Sequence, residues 1–200
     1  MNLNSKFEIK RQIVHILLGL VIILLALYDR TFALWLIFSF LMLGIILALI
    51  SLKLDVPIIS WFLKNFERDE YREKFPFKGA IFFFAGSLLT LKLFSFDIAL
   101  ASISILTFGD SFSHLVGIYG KYKSKLDLKR RKNLEGMVVG IVVGAIVASF
   151  FVNIISALAA SALAMIAENI SVKLQGEEVD DNIIIPVVAG TVLHILKNYI

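Results

Sequence analysis

The sequence predicts an all-α polytopic membrane protein: about seven transmembrane helices in one bundle, with the N-terminus cytoplasmic. Three observations lead there. The 200 residues are 58% hydrophobic and only 18% charged, with a mean hydropathy of +0.86, which a water-soluble core could not hide. Apolar runs recur between polar breaks, and at about 20 residues per span the chain has room for roughly six or seven helices and no separate soluble domain. Positive charge also alternates from loop to loop. With the N-terminus inside, all but Arg30, Lys92 and Lys197 of the 20 Lys and Arg residues fall on the cytoplasmic side, as the positive-inside rule demands. Residues 1–200 form one integral-membrane domain on this reading.

Taken in order, Lys6, Lys10 and Arg11 precede a first span over about Ile13 to Leu27. That arrangement is signal-peptide-like, but Tyr28-Asp29-Arg30 is no small-residue cleavage site, so the helix is read as retained. A second span covers about Phe32 to Leu52. Pro57 follows its end, and Ile58 to Leu63 reads as a short interfacial stretch before the charged segment from Lys64 to Lys74. The third span runs from about Gly79 to Phe94. After the Ser95-Phe96-Asp97 turn a fourth span ends near Tyr119. A basic loop from Lys121 to Asn133 leads to the fifth span at Gly136, and the sixth ends near Ala167, with Asn153 between them. The acidic loop from Glu168 to Asn182 precedes the last span, from Ile183 onward. Gly136, Gly140 and Gly144 recur every fourth residue, a face that lets helix backbones approach closely, within the chain or across a homodimer.

The absence of cysteine excludes a disulfide framework, a thiolate nucleophile and Cys-based metal sites. The chemistry must come from polar residues at span ends. Asp110 stands inside an apolar span, where an ionisable group costs several kcal/mol and marks a working site or a hydrogen-bonded packing position. Ser113, Gly117 and Gly120 follow at helical spacing, with Lys121 at the mouth. They form either a groove floor for a phosphate chain or a small-residue packing seam. The loop beyond carries Arg130, Arg131 and Lys132 and ends in Glu135-Gly136 at a helix start, where free backbone amides can hold phosphate. Such a loop suits anionic headgroups or a phosphorylated ligand, and no nucleic-acid partner is expected. Glu135 is a metal ligand, a general base or a first-turn acid. Glu168, Asp181 and Asn182 lie in an acidic stretch suited to a divalent cation or to helix capping. His15 is either a structural group or an acid–base near the membrane face.

This set, in this order, resembles the CTP-dependent lipid alcohol kinases: dolichol kinase, phytol kinase and the CTP-using diacylglycerol kinase of yeast. The residues that carry the resemblance are Arg11 with His15, Lys78-Gly79, Gly109-Asp110 with Gly117, Gly120 and Lys121, Lys132 with Glu135-Gly136, Glu168, and Asp181-Asn182 with Pro186. Ser113 stands where the family has Ala, the Gly117-to-Gly120 spacing is one residue tighter than in some members, and Asn133 replaces the usual Thr or Ser. The resemblance implies phosphoryl transfer from CTP to a lipid alcohol at the cytoplasmic membrane face. Asp110, Asp181, Asn182 and Glu168 would hold Mg2+ or another divalent cation. Lys78, Gly117, Gly120, Lys121, Arg130, Arg131, Lys132 and Gly136 would bind the nucleotide, and Asp110, Glu135 and His15 would act in catalysis. The alternatives are a CTP-using cytidylyltransferase, whose long C-terminal signature has no match here, and a small transporter, which would need charge through the membrane depth.

Overall fold

The computed structural model describes residues 3–121, 133–170, 173–174 and 177–199. Within them the protein is helical: α1 (Leu3–Tyr28), α2 (Arg30–Ser51), α3 (Pro57–Phe66), α4 (Asp69–Arg72), α5 (Lys78–Leu93), α6 (Phe96–Ser104), α7 (Ser111–Gly117), α8 (Leu134–Ala148), α9 (Ile154–Asn169) and α10 (Asp181–Tyr199). A π-helical segment, Ile105–Asp110, joins α6 to α7. The acidic loop contains a two-residue antiparallel pair, Lys173–Leu174 with Glu177–Glu178.

The helix boundaries have local causes. Asp29 caps α2, its carboxylate accepting from the Phe32 amide at 2.7 Å. Asn153 caps α9 in the same way through the Ser156 amide at 2.9 Å. Each satisfies one of the amide groups a helix start leaves without a partner. Pro57 opens α3 at a position where its missing N–H is harmless. Ile58 and Trp61 of α3 are exposed while Leu63 is buried, in keeping with a stretch lying at an interface. The charged segment beyond it contains the single turn α4.

Among the described residues, three helices are long and apolar enough to cross a membrane: Ser5–Tyr28, Arg30–Ser51 and Phe96–Gly117. α8 and α9 are apolar but shorter. The Phe96–Gly117 helix is mostly covered by the rest of the protein, whereas the other two are largely bare. It is the central element, and its α6 half is buried at every position from Ile98 to Ser104.

Glycines set how closely that centre packs. A Cβ on Gly140 would stand 2.8 Å from the Gly109 carbonyl oxygen, 2.9 Å from Ser113 Cβ and 3.0 Å from Met165 Sδ. One on Gly144 would stand 3.5 Å from Gly109 Cα and press on the Ser161 hydroxyl, and one on Gly136 would run into the Ser113 carbonyl. The bare face of α8 therefore lies between the π segment and α7 on one side and α9 on the other. The chain's own helices lie against the face at Gly136, Gly140 and Gly144 through which a homodimer was expected.

At the end of the bundle away from Asp110, the Arg30 guanidinium donates to the carbonyls of Leu91 and, at 3.2 Å, Phe94. Lys197 pairs with Asp97 at 2.6 Å. Arg30 and Lys197, two of the three cations that the charge pattern sets apart, thus close one end.

The close approach yields a test. Replacing Gly140 with Val should lower stability by about 1–3 kcal/mol through overpacking, read as a drop in Tm in detergent. Gly79→Ala should leave Tm within error, because nothing lies within 4 Å of the added Cβ.

Candidate functional site

Asp110 ends the π segment and is 5% exposed. π turns occur mostly as isolated insertions within α-helices, frequently at functional sites. One turn on, His114 approaches it, with Nε2 3.3 Å from Asp110 Oδ1. The second-last residue of α9, Glu168, is 2% exposed and completes the group. One donor atom from each of Asp110, His114 and Glu168 lies within 4.8 Å of the other two. Two buried carboxylates need cations close by to remain ionised. Oxygen and nitrogen donors gathered at this distance are a set that could hold a divalent cation.

α1 supplies the surroundings. Arg11 and His15 lie within electrostatic range of Asp110. Glu8 Oε1 accepts from Arg11 Nη2 at 2.6 Å and from Gln12 Nε2 at 2.9 Å, while Arg68 stands 3.9 Å away. Positions 8, 11, 12 and 15 share one helical stripe, so the sequence itself aims this face inward. The His15 ring packs on Phe83 at 4.5 Å between centroids, and its Nε2 is buried with no hydrogen-bond partner among the described residues. Glu67, in the loop after α3, faces Arg11 and Arg68; burial above all holds its carboxyl above the ordinary range.

A second cluster forms where α10 begins. Asp180 Oδ1 accepts from the Asn182 amide at 3.1 Å and from its side chain at 2.7 Å, while the other oxygen faces Lys78 Nζ at 3.7 Å. Lys78 also sits 4.0 Å from the centre of the Tyr71 ring, a cation–π contact. Phe77, just before it, takes a left-handed backbone (φ 59°) and is buried against Phe62. That strained residue starts α5 where Lys78 can reach Asp180. Burial first, and then the neighbouring Asp181, raise the Asp180 pKa above its usual value. Pro186 lies inside α10 and has no N–H to offer the carbonyl of Asn182, four residues earlier. Gly86 of α5 closes directly on that carbonyl. The Asn182-to-Pro186 spacing is therefore a packing device as well as a motif.

Several expectations change with this geometry. Asp110 and Glu168 come together as ligand candidates, while Asp181 and Asn182 lie in the first turn of α10, where Asp180 accepts from Asn182. The small-residue stripe of Ser113, Gly117 and Gly120 packs in part against the start of α8. The first turn of α8 covers Ser113 and Gly117, and a Cβ on Gly120 would stand 2.7 Å from Asn133 Cβ. The Asn133 amide donates to the carbonyls of Gly117 and, at 3.4 Å, Gly120. Gly117, Gly120 and Gly136 therefore lie where α7 and α8 approach each other, and Asn133 ties the two. Glu135 is the first-turn acid of α8 and accepts from the Lys121 amide at 2.8 Å, while Lys121 itself is exposed. Arg130, Arg131 and Lys132 lie outside the described residues.

His114, Glu8 and Gln12 are members that sequence reasoning left out of the site. The i, i+4 spacing from Asp110 and the 8–11–12–15 stripe were the signals available.

Fold and site together define an all-helical protein with membrane-type apolar helices and a buried acid–histidine centre flanked by cations. The chain is 30% identical over 190 residues to an uncharacterized protein of Methanocaldococcus jannaschii, an alignment covering 94% of this chain and 93% of that one. It belongs to the same family as that protein. No family model matches the chain, and no solved structure matches it.

Asp180 gives a pH-dependent test. Its folded pKa lies above the ordinary 3.8, so the stability linked to its protonation is fully present below that value and is lost as pH rises through the raised one. Asp180→Asn keeps the acceptor for Asn182 but does not titrate. The Tm of the wild type relative to Asp180→Asn should therefore fall as pH rises above 3.8 through the raised value; a constant difference would contradict the assignment.

Proposed function

We propose that this protein is an integral-membrane phosphotransferase that moves the γ-phosphoryl group of CTP to the hydroxyl of an isoprenoid or other lipid alcohol. In this reading the chain crosses the bilayer about seven times, with the N-terminus and the Asp110 end facing the cytoplasm. The observation that carries it is the buried group Asp110, His114 and Glu168, with Arg11 and His15 within electrostatic range of Asp110. CTP as donor rests on the resemblance described above.

Phosphoryl transfer is mostly positioning and charge neutralisation, so carboxylates, cations and helix-end amides are the parts required. Asp110 and Glu168 would hold a divalent cation, which when bound offsets the charge of the triphosphate. Arg11, Lys78, Lys121, Arg130, Arg131 and Lys132 supply positive charge toward the phosphates. His15, whose Nε2 is buried near Asp110, is the group suited to take the proton from the acceptor hydroxyl. Glu135 serves the site by closing the start of α8 on Lys121. The lipid tail would lie along the apolar helix faces, with its hydroxyl at the boundary.

Purified protein given γ-labelled CTP and geranylgeraniol, phytol, dolichol or diacylglycerol should transfer label to at least one alcohol and release CDP. Asp110→Asn and Glu168→Gln should each lower kcat/KM by about 10²–10³-fold, the usual loss for a group that stabilises transition-state charge. Release of pyrophosphate would point to the cytidylyltransferase reading instead. Wild-type turnover in both variants would end the proposal.

A further inference from the structure

We infer that His114 is a third metal ligand beside Asp110 and Glu168, which makes this a mixed nitrogen–oxygen site that prefers a borderline transition ion over Mg2+. The inference rests on the reading above that Asp110 and Glu168 hold a divalent cation. It adds which class of ion the site selects.

The geometry comes first. Three donor atoms bound to one ion at about 2.1 Å stand on average no more than about 3.6 Å apart. The three atoms here already lie within 4.8 Å of one another, and the His114 and Asp110 atoms are at 3.3 Å. Closing onto a single ion needs each donor atom to move by less than about 1 Å. The scaffold limits other outcomes. Asp110 and His114 are one helical turn apart on the central helix, and Glu168 is delivered by α9 across the glycine face of α8. The three donors therefore come from two rigid helices packed against a third, not from mobile loops.

The chemistry then selects the ion. Mg2+ demands near-octahedral oxygen donors and usually keeps several waters, which suits sites with one or two carboxylates. Imidazole favours softer first-row ions, and affinity for a given donor set rises from Mn2+ through Co2+ to Cu2+. All three side chains are largely or wholly withdrawn from solvent, which leaves little room for the water shell that Mg2+ retains. An Asp110–His114 ion pair is the competing account of the 3.3 Å contact, and it predicts no metal preference at all.

The test uses the full-length protein in detergent, with Co2+ and Mg2+ added singly. Visible d–d absorption reads Co2+ ligation and calorimetry reads both affinities. The wild type should bind Co2+ at least about tenfold more tightly than Mg2+. His114→Ala should weaken Co2+ binding by about 10–100-fold and collapse the preference, while Mg2+ binding changes little. Glu168→Gln should weaken both ions, and an unchanged far-ultraviolet circular dichroism spectrum shows that the variants are folded. No Co2+ absorption in the wild type, or the same Co2+-to-Mg2+ ratio in folded His114→Ala, overturns the inference. His114-dependent Co2+ binding without CTP turnover would sink the kinase reading and leave this one standing. CTP turnover with an unaltered ion preference in His114→Ala would do the reverse.

Discussion

The thinness of α8 is the constraint on which the rest of the structure depends. Its face at Gly136, Gly140 and Gly144 carries no side chain, so the π segment and α7 approach it from one side and α9 from the other. Met165 and Gly109 both meet Gly140, and Ser161 meets Gly144. Side chains at those positions would push α9 outward and carry Glu168 away from Asp110 and His114. In lipid there is no hydrophobic drive to bring helices together, and close backbone approach with polar cross-links must do it. The site is therefore a consequence of a packing seam elsewhere in the same three helices.

The π segment contributes a second geometric element. A wider turn within an α-helix shifts everything beyond it out of the register set before it. From Ile98 to Ser104 the central helix is buried with apolar and hydroxyl side chains, and Ser102 and Ser104 return their hydroxyls to its own carbonyls at 2.7 and 2.8 Å. Beyond the shift, Asp110 and His114 share a face turned toward α9 and α1. The two ends of the bundle divide the labour accordingly. Arg30 and Lys197 staple one end, and the network of Glu8, Arg11, Gln12 and Arg68 forms the other.

Legibility in the sequence followed the physics of each feature. Asp110 stood out because a charge in an apolar run has few reasons to exist, and Glu168 because an acid at a span end on the basic side runs against the usual bias. Helix starts at Asp29 and Pro57 were likewise readable from their polar or proline breaks. The glycines were not decidable: a bare face looks the same whether a phosphate or a neighbouring helix lies on it, and here Asn133 lies against Gly120 and the start of α8 against Gly117. Asp180, which accepts from Asn182 and faces Lys78, could not be told from its neighbour Asp181 by residue type. His114 was visible at i+4 from Asp110, but its partnership with Glu168, 54 positions further along the sequence, depends on α8 being thin enough to bridge.

The central claim is that α7 and α9 meet across α8 at His114 and Glu168, and it can be checked without ligand, nucleotide or substrate. The chain contains no cysteine, so His114→Cys with Glu168→Cys introduces the only two thiols. Treatment of membranes with a short bifunctional thiol reagent, followed by intact-mass and peptide mass spectrometry, reads whether the pair bridges within one chain. The account predicts efficient bridging of this pair and its loss when Gly140→Val is added. Two singly modified thiols with no bridge in the otherwise wild-type background would show that the two helices do not meet, and the site described above would not exist.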